Sequence, residues 1–422
     1  MFFSGNTTEK KLSFAMFVVV FIMYSLVCMT KQCFNAAMAD IVNEGVLTKS
    51  QTGLIISAFY IVYAPTQLIG GFAADRYDSE RLILIGLIGA AAANIIIFFS
   101  QSYYVMLAAW SFDALVQFGL WTSILKILMS ELHSSLRHSA VAYIAIAQPL
   151  GAVLAYVTAS LIREWRYNFA VSALILILAS VFFKIAYKSI KKRMDDVEGH
   201  ETHSAQWVSH KTKPLKNSSM IFGSGLIFIA TMMMLREMVG SGIKGLSPVM
   251  LMESYDSITP AVGNALNVII ILFGTVGVIS AGMIHHHNRH KDVLILTVIL
   301  LLAVPGLSVI AFIGKINILM CVFALAWLHG LMMACATIIN CWGMRYRIFG
   351  REGTVAGIIN SAASIGIMIE SYGFCALADK AGWTSVVYTW IIMLVLCEVM
   401  LVLAATHWSG FCKNMRCSPT AH

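Results

Sequence analysis

Charge is what this 422-residue chain has least of. Asp, Glu, Lys and Arg together supply 12% of it, against 59% hydrophobic residues, and the mean hydropathy is +0.79. A soluble domain carries about twice that share of charge, so a soluble fold is excluded. Other signatures are missing too. The nine cysteines have neither disulfide-framework nor zinc spacing. Cys28, Cys33, Cys321, Cys335, Cys341, Cys375 and Cys397 fall in apolar runs, with Cys412 and Cys417 in the tail, where reduced thiols act as small apolar fillers. No metal and no cofactor is expected. The net charge of +8 comes without a basic patch interleaved with aromatics, which argues against a nucleic-acid partner. No paired catalytic constellation emerges, so an enzyme is not expected. The polar start MFFSGNTTEKK precedes an apolar run too long for a signal-peptide core, and that run is expected to stay as a span.

What the chain does have is apolar runs of membrane-spanning length. Six come early, at 12–38, 51–73, 82–99, 104–129, 140–162 and 168–187. Six follow at 220–249, 261–284, 293–313, 316–341, 354–377 and 385–406. The one long polar stretch, 188–217, reads as a solvated linker. The expected organisation is a six-helix bundle over 1–187, the linker, a second bundle over 218–408, and a tail at 409–422. Lys10, Lys11, Arg76, Arg81, Arg137, the 188–193 cluster, Arg289, Lys291, Arg345, Arg347, Arg351, Lys413 and Arg416 all fall on one side of this arrangement. Lys49, Arg163, Arg166, Lys315 and Lys380 fall on the other. The positive-inside bias then puts both termini and the linker in the cytoplasm, and the chain in the cytoplasmic membrane.

A few charges lie inside the runs, where each costs a few kcal/mol or more and marks a protein-lined or watery path. Lys31 lies deep in the first run and Arg236 about as far into the seventh. Lys31 either snorkels to headgroups or faces a site. Arg236 either binds a solute or pairs with Glu237. Glu370, near the centre of the eleventh run, and Asp113, in the fourth, are the candidate proton carriers, and Glu370 could equally be a counter-ion. Tyr63, Gln67, Gln117 and Gln148 offer hydrogen bonds to a polar solute or to a neighbouring helix. In the loop sequence GMIHHHNRHKD three consecutive histidines cannot all face one ion from a helix, so no metal is expected there.

After the second run the chain reads GGFAADRYDSERL. This resembles the loop signature of the major facilitator superfamily, through Gly71, Asp75, Arg76 and Arg81. Within the superfamily CMTKQCFNAAM resembles the organophosphate–phosphate exchangers, with Lys31 where they carry arginine and Phe34 at their aromatic. Gln117, Trp121, Lys126 and Arg137 continue in step, as do GTVAG from Gly353 and AGW from Ala381.

The resemblance implies an all-α membrane protein, twelve transmembrane helices in two six-helix bundles, working by alternating access. The substrate set expected from the residues and the resemblance together is Lys31, Arg236, Tyr63, Gln67, Gln117 and Gln148, with Gly71, Asp75, Arg76, Arg81, Lys126 and Arg137 in gating or loop roles. The chain departs from the family with lysine at 31, Gln67 for a lysine and Gln148 for a histidine. In the seventh run the family spacing puts the arginine position at Gly240. Lysine lacks the planar fork that grips phosphate in two places. The expectation is therefore a monomeric carrier of a small organic anion, coupled to protons or exchanged against an internal anion. An efflux carrier for amphipathic compounds and a transporter-like solute sensor are the alternatives.

Overall fold

The computed structural model describes residues 7–133, 136, 137, 140, 143–162, 164–197, 219–287, 291–349 and 351–415, and their regular elements are all helical. The chain divides into two compact units. One comprises Met1–Leu47 and Ala58–Val208, the other Thr48–Ser57 and Ser209–His422. Among the described residues nine helices are long and apolar enough to cross a membrane.

The first unit is built from α1 (Thr7–Lys31), α2 (Cys33–Asn43), most of α3 (Lys49–Arg76), α4 (Ser79–Phe99), α5 (Tyr103–Val116), α6 (Leu120–Ser130), α7 (Ala147–Leu161) and α8 (Trp165–Val197). Two of the expected spans are interrupted. Between α1 and α2 the Gln32 N–H donates to the Met29 carbonyl at 3.0 Å, a three-residue step in a four-residue ladder. Between α5 and α6 Phe118 donates to Leu115 and Leu120 to Gln117, both at 3.2 Å. α4 begins where the Asp78 side chain accepts from the Glu80 N–H at 3.2 Å, covering one of its orphan donors. Met16, Val20 and Met23 of α1 pack with Ile83 and Leu87 of α4 and Ile124 of α6. α8 leaves Leu174, Leu178, Val181 and Ile185 exposed. A helix apolar outside as well as inside suits a lipid surround. α8 also runs on through Val197, ten residues into the polar stretch expected as a linker. Residues 198–217 of that stretch lie outside the described residues.

The second unit holds α9 (Leu226–Ser254), α10 (Pro260–His287), α11 (Asp292–Ile310), α12 (Ile318–Cys341) and α13 (Glu352–Met415). α9 packs chiefly on α13, and α10 on α12. The 64 residues of α13 include a turn at Gly382, whose φ of 76° suits a residue without Cβ. At about 1.5 Å per residue the helix far exceeds the ~30 Å of a hydrocarbon core. The runs expected at 354–377 and 385–406 lie on either side of Gly382.

Polar ties fasten this unit at two places. At the start of α3 the Lys49 ammonium meets Glu253 at 2.6 Å and Asp379 at 3.3 Å, and the Trp383 indole donates to Glu253 at 2.8 Å. Elsewhere the buried Asp292 carboxylate takes Arg345 Nη2 at 2.9 Å and His285 Nε2 at 3.1 Å. The Arg345 guanidinium stacks 3.7 Å from the Trp342 ring centroid and 5.7 Å from that of Trp408. Arg345, counted by sequence among the cations of the cytoplasmic side, is buried, because two indoles and a carboxylate replace its water. His285, the first of the three consecutive histidines, closes α10 against Asp292. Among the described residues no group of three His, Cys, Asp or Glu is placed to hold a metal.

Candidate functional site

In the first unit Lys31 ends α1, just before the interruption at Gln32. Its Nζ donates to the Tyr63 hydroxyl at 3.0 Å and lies 4.6 Å from the centre of the same ring. The half-buried ammonium is therefore engaged by protein. Tyr63 is held in turn. It stacks on Phe59 at 5.5 Å, and Phe59 lies 5.5 Å from Trp110, which Phe34 and Phe169 flank at 5.2 and 6.3 Å. One helical turn after Trp110 comes buried Asp113, which accepts from Gln117 Nε2 at 2.7 Å. Asp113 and Lys31 act on each other electrostatically. Asp113 Oδ2 and Gln117 Oε1 are buried without hydrogen-bond partners. So Lys31, Tyr63, Asp113 and Gln117 belong to one neighbourhood, with both span interruptions beside it.

Gln148 on α7 is exposed. The side-chain placements at Gln67, Gly71 and Asp75 lie outside the described residues. Arg76, Arg81 and Lys126 are exposed, and Arg137 donates from Nε to the Leu132 carbonyl at 2.7 Å.

In the second unit Arg236 is 1% exposed. Its Nη1 is bonded to Glu237 Oε2, while Nε and Nη2 have no hydrogen-bond partner. A Cβ added to Gly240 would stand 2.9 Å from Arg236 Nη2. The guanidinium therefore lies one turn along the helix, beside Gly240. The two alternatives left by sequence are one place: the head of Arg236 occupies the flank that Gly240 leaves empty. Glu370 is also buried. Its Oε1 accepts from Ser241 at 3.0 Å and Ser371 at 3.1 Å, and its Oε2 has no hydrogen-bond partner. The charges acting on it are Lys244 and Glu237.

Two residues of this neighbourhood were not singled out by sequence. Lys244 lies eight positions after Arg236, on the stripe that runs 236, 240, 244 along α9. That periodicity was the available signal. His329 of α12 is buried, a lone histidine in ALAWLHGLMMA, which reads as core. Its ring sits against Gly274 of α10, where an added Cβ would be 2.6 Å from Nε2. The ring hydrogen-bonds the Gly240 backbone, and Lys244 and Arg236 are the charges acting on it. Its Nδ1 is buried without a hydrogen-bond partner. Each unit thus sets a cation beside an acid, with buried donors or acceptors unfilled.

The membrane sensor protein UhpC of Salmonella typhimurium is 33% identical over 100 residues, covering 24% of this chain and 23% of the relative. A probable 4-methylmuconolactone transporter of Cupriavidus pinatubonensis is 27% identical over 119 residues, 28% of each chain. The matches thus span about a quarter of the length of these relatives. Among solved structures, a POT family transporter in complex with a thioalcohol-conjugated peptide superposes with a TM-score of 0.72 at 12% identity, covering 95% of this chain and 96% of the other. A D-xylose–proton symporter does so with a TM-score of 0.68 at 10% identity, covering 92% and 95%. At such identities the likeness concerns fold alone. The family model described as Major Facilitator Superfamily matches residues 20–370.

Proposed function

Because the chain belongs to the Major Facilitator Superfamily, and is a multi-pass membrane transporter resembling its organophosphate–phosphate branch, we propose that it carries a small organic anion across the cytoplasmic membrane. Twelve spans in two six-helix bundles, over 1–187 and 218–408, with a cytoplasmic linker, tail and termini, complete the reading. It works by alternating access. The observation that carries it is Lys31, a cation inside a span whose ammonium is fixed by Tyr63 rather than neutralised by a bonded carboxylate. An oxyanion supplies the missing charge. Buried Arg236, with two unpartnered nitrogens, supports the same cargo from the second unit. Tyr63, Gln67, Gln117 and Gln148 supply polar contacts, while Gly71, Asp75, Arg76, Arg81, Lys126 and Arg137 serve loop and gating roles. Movement is either proton-coupled, with Glu370 and Asp113 as the acids able to hold a proton, or exchange against an internal anion. The protein acts as a monomer.

A thermal-shift screen of the purified protein against sugar phosphates, carboxylates and sugar acids tests the cargo class, since a bound ligand raises stability by mass action. Specific stabilisation by one anion class, lost in Lys31→Met, is the expected result. Stabilisation only by hydrophobic cations would sink the anion reading.

A second reading is favoured by one observation, the relative named as a membrane sensor: a solute sensor on a transporter scaffold. Liposomes decide between the two, because a sensor binds its solute without flux.

A further inference from the structure

Arg236, Lys244 and His329 converge on the same part of the second unit from α9 and α12. We propose that they form an oxyanion-binding face which takes up its anion together with a proton on His329. This rests on the reading of an anion carrier and adds how the proton is tied to the cargo.

The tautomer carries the argument. The imidazole is bonded to the backbone of Gly240, a residue inside α9 whose N–H is committed to the helix ladder, so the acceptor is its carbonyl. Nδ1 has no hydrogen-bond partner, which leaves Nε2 as the donating nitrogen. A neutral ring that donates from Nε2 presents a lone pair at Nδ1. A lone pair repels an oxyanion, whereas a protonated Nδ1 donates to one. The ring therefore helps to hold a carboxylate or phosphate oxygen only after accepting a proton from solvent.

The surroundings make the converse true. The charges on α9 acting on the ring are Arg236 and Lys244, both positive. α10 offers Gly274 at the contact and no titratable residue before its terminal histidines, and α11 has no charged residue after Asp292. The acids of the neighbourhood are Glu237, bonded to Arg236, Glu370, bonded to Ser241 and Ser371, and Glu398 of α13, which accepts from Thr297 at 2.8 Å and acts with Arg236 on Cys335. A proton arriving alone would add a positive charge in buried space beside Lys244 and the Arg236–Glu237 pair. An anion on the free Nε and Nη2 of Arg236 offsets it. Anion and proton each raise the affinity for the other, and by linkage the two effects are equal.

The test uses the full chain in nanodiscs, titrated calorimetrically with succinate, gluconate and glycerol 3-phosphate, each in two buffers of different ionisation enthalpy. Wild type takes up about one proton per bound anion near neutral pH, and its affinity rises as pH falls. His329→Gln keeps a donor towards Gly240 but has no titratable group: proton uptake falls to near zero and the affinity becomes flat with pH. Lys244→Gln weakens binding about tenfold, as for loss of one charge-assisted contact, yet keeps the proton. Full proton uptake in His329→Gln overturns the assignment while the anion reading stands, and undiminished affinity in Lys244→Gln overturns the binding face. Binding of none of the three probes by wild type removes the anion reading and this inference together. Should His329→Gln fail to fold, the Lys244 variant decides the binding face, and wild-type binding without proton uptake overturns the proton assignment.

Discussion

The guanidinium of Arg236 rests beside the α-carbon of Gly240, close enough that a Cβ there would stand 2.9 Å from Nη2 and 3.3 Å from Met332 Cβ. The arginine reaches one turn along its own helix, and the glycine is the space it reaches into. The atom in the way is the far end of a flexible side chain, so Gly240→Ala displaces the charge instead of breaking the fold. Alanine also favours the helix by roughly 0.5–1 kcal/mol. The expected variant keeps a thermal midpoint within a few degrees of wild type but loses anion affinity about tenfold, the size of one charge-assisted contact. A large drop in midpoint with affinity retained would contradict this account.

Tyr63→Phe keeps the stacking on Phe59 and removes the 3.0 Å bond to Lys31. A net cost of about 1 kcal/mol corresponds to a roughly fivefold weaker dissociation constant in equilibrium binding. Lys31→Met removes the cation itself and should abolish saturable anion binding. Unchanged binding in Lys31→Met would place the cargo elsewhere.

Glu370 gives up its charge but not its shape in Glu370→Gln, where the amide oxygen can still accept from Ser241 or Ser371. If this acid carries the translocated proton, uptake into liposomes driven by a pH gradient disappears while anion exchange at equal pH persists. Gradient-driven uptake at the wild-type rate rules it out as the carrier.

The Asp292–Arg345 pair is buried on both sides, at 1% and 7% side-chain exposure. Asp292→Asn leaves the guanidinium between its indoles without a counter-charge. Breaking one side of such a pair costs about 3–5 kcal/mol, so a clear fall in thermal midpoint is expected in detergent. Replacement of both residues by apolar ones should recover part of it, and an unchanged midpoint for Asp292→Asn would show the pair to be idle.

Lys31, Arg236, Asp113 and Glu370 were legible in sequence because a charge inside an apolar run is expensive and so conspicuous. Lys244 escaped because it sits on the same face as Arg236 but two turns away, a relation of helical phase rather than of composition. His329 escaped because one histidine among apolar neighbours reads as core. What gives it chemistry is a carbonyl and two cations on another helix. The interruption at Gln32 carries no glycine or proline to announce it, and the one at 117–119 is marked only by the lone Gly119 that caps α6. Arg345 looked like a loop charge because Asp292 and Trp408, which bury it, lie far away along the chain. The runs at 354–377 and 385–406 were readable from hydropathy, and they lie on either side of Gly382, where non-helical backbone breaks the helical path.

Arg236 and Glu237 are adjacent on α9 and bonded to each other. When that helix moves within the membrane field, the pair travels as a dipole of zero net charge. The transmembrane voltage, worth about 2.3 kcal/mol per elementary charge per 100 mV, acts on it only weakly. Whatever current accompanies a transport cycle therefore reports charges other than this pair, and this arginine stays electrically silent.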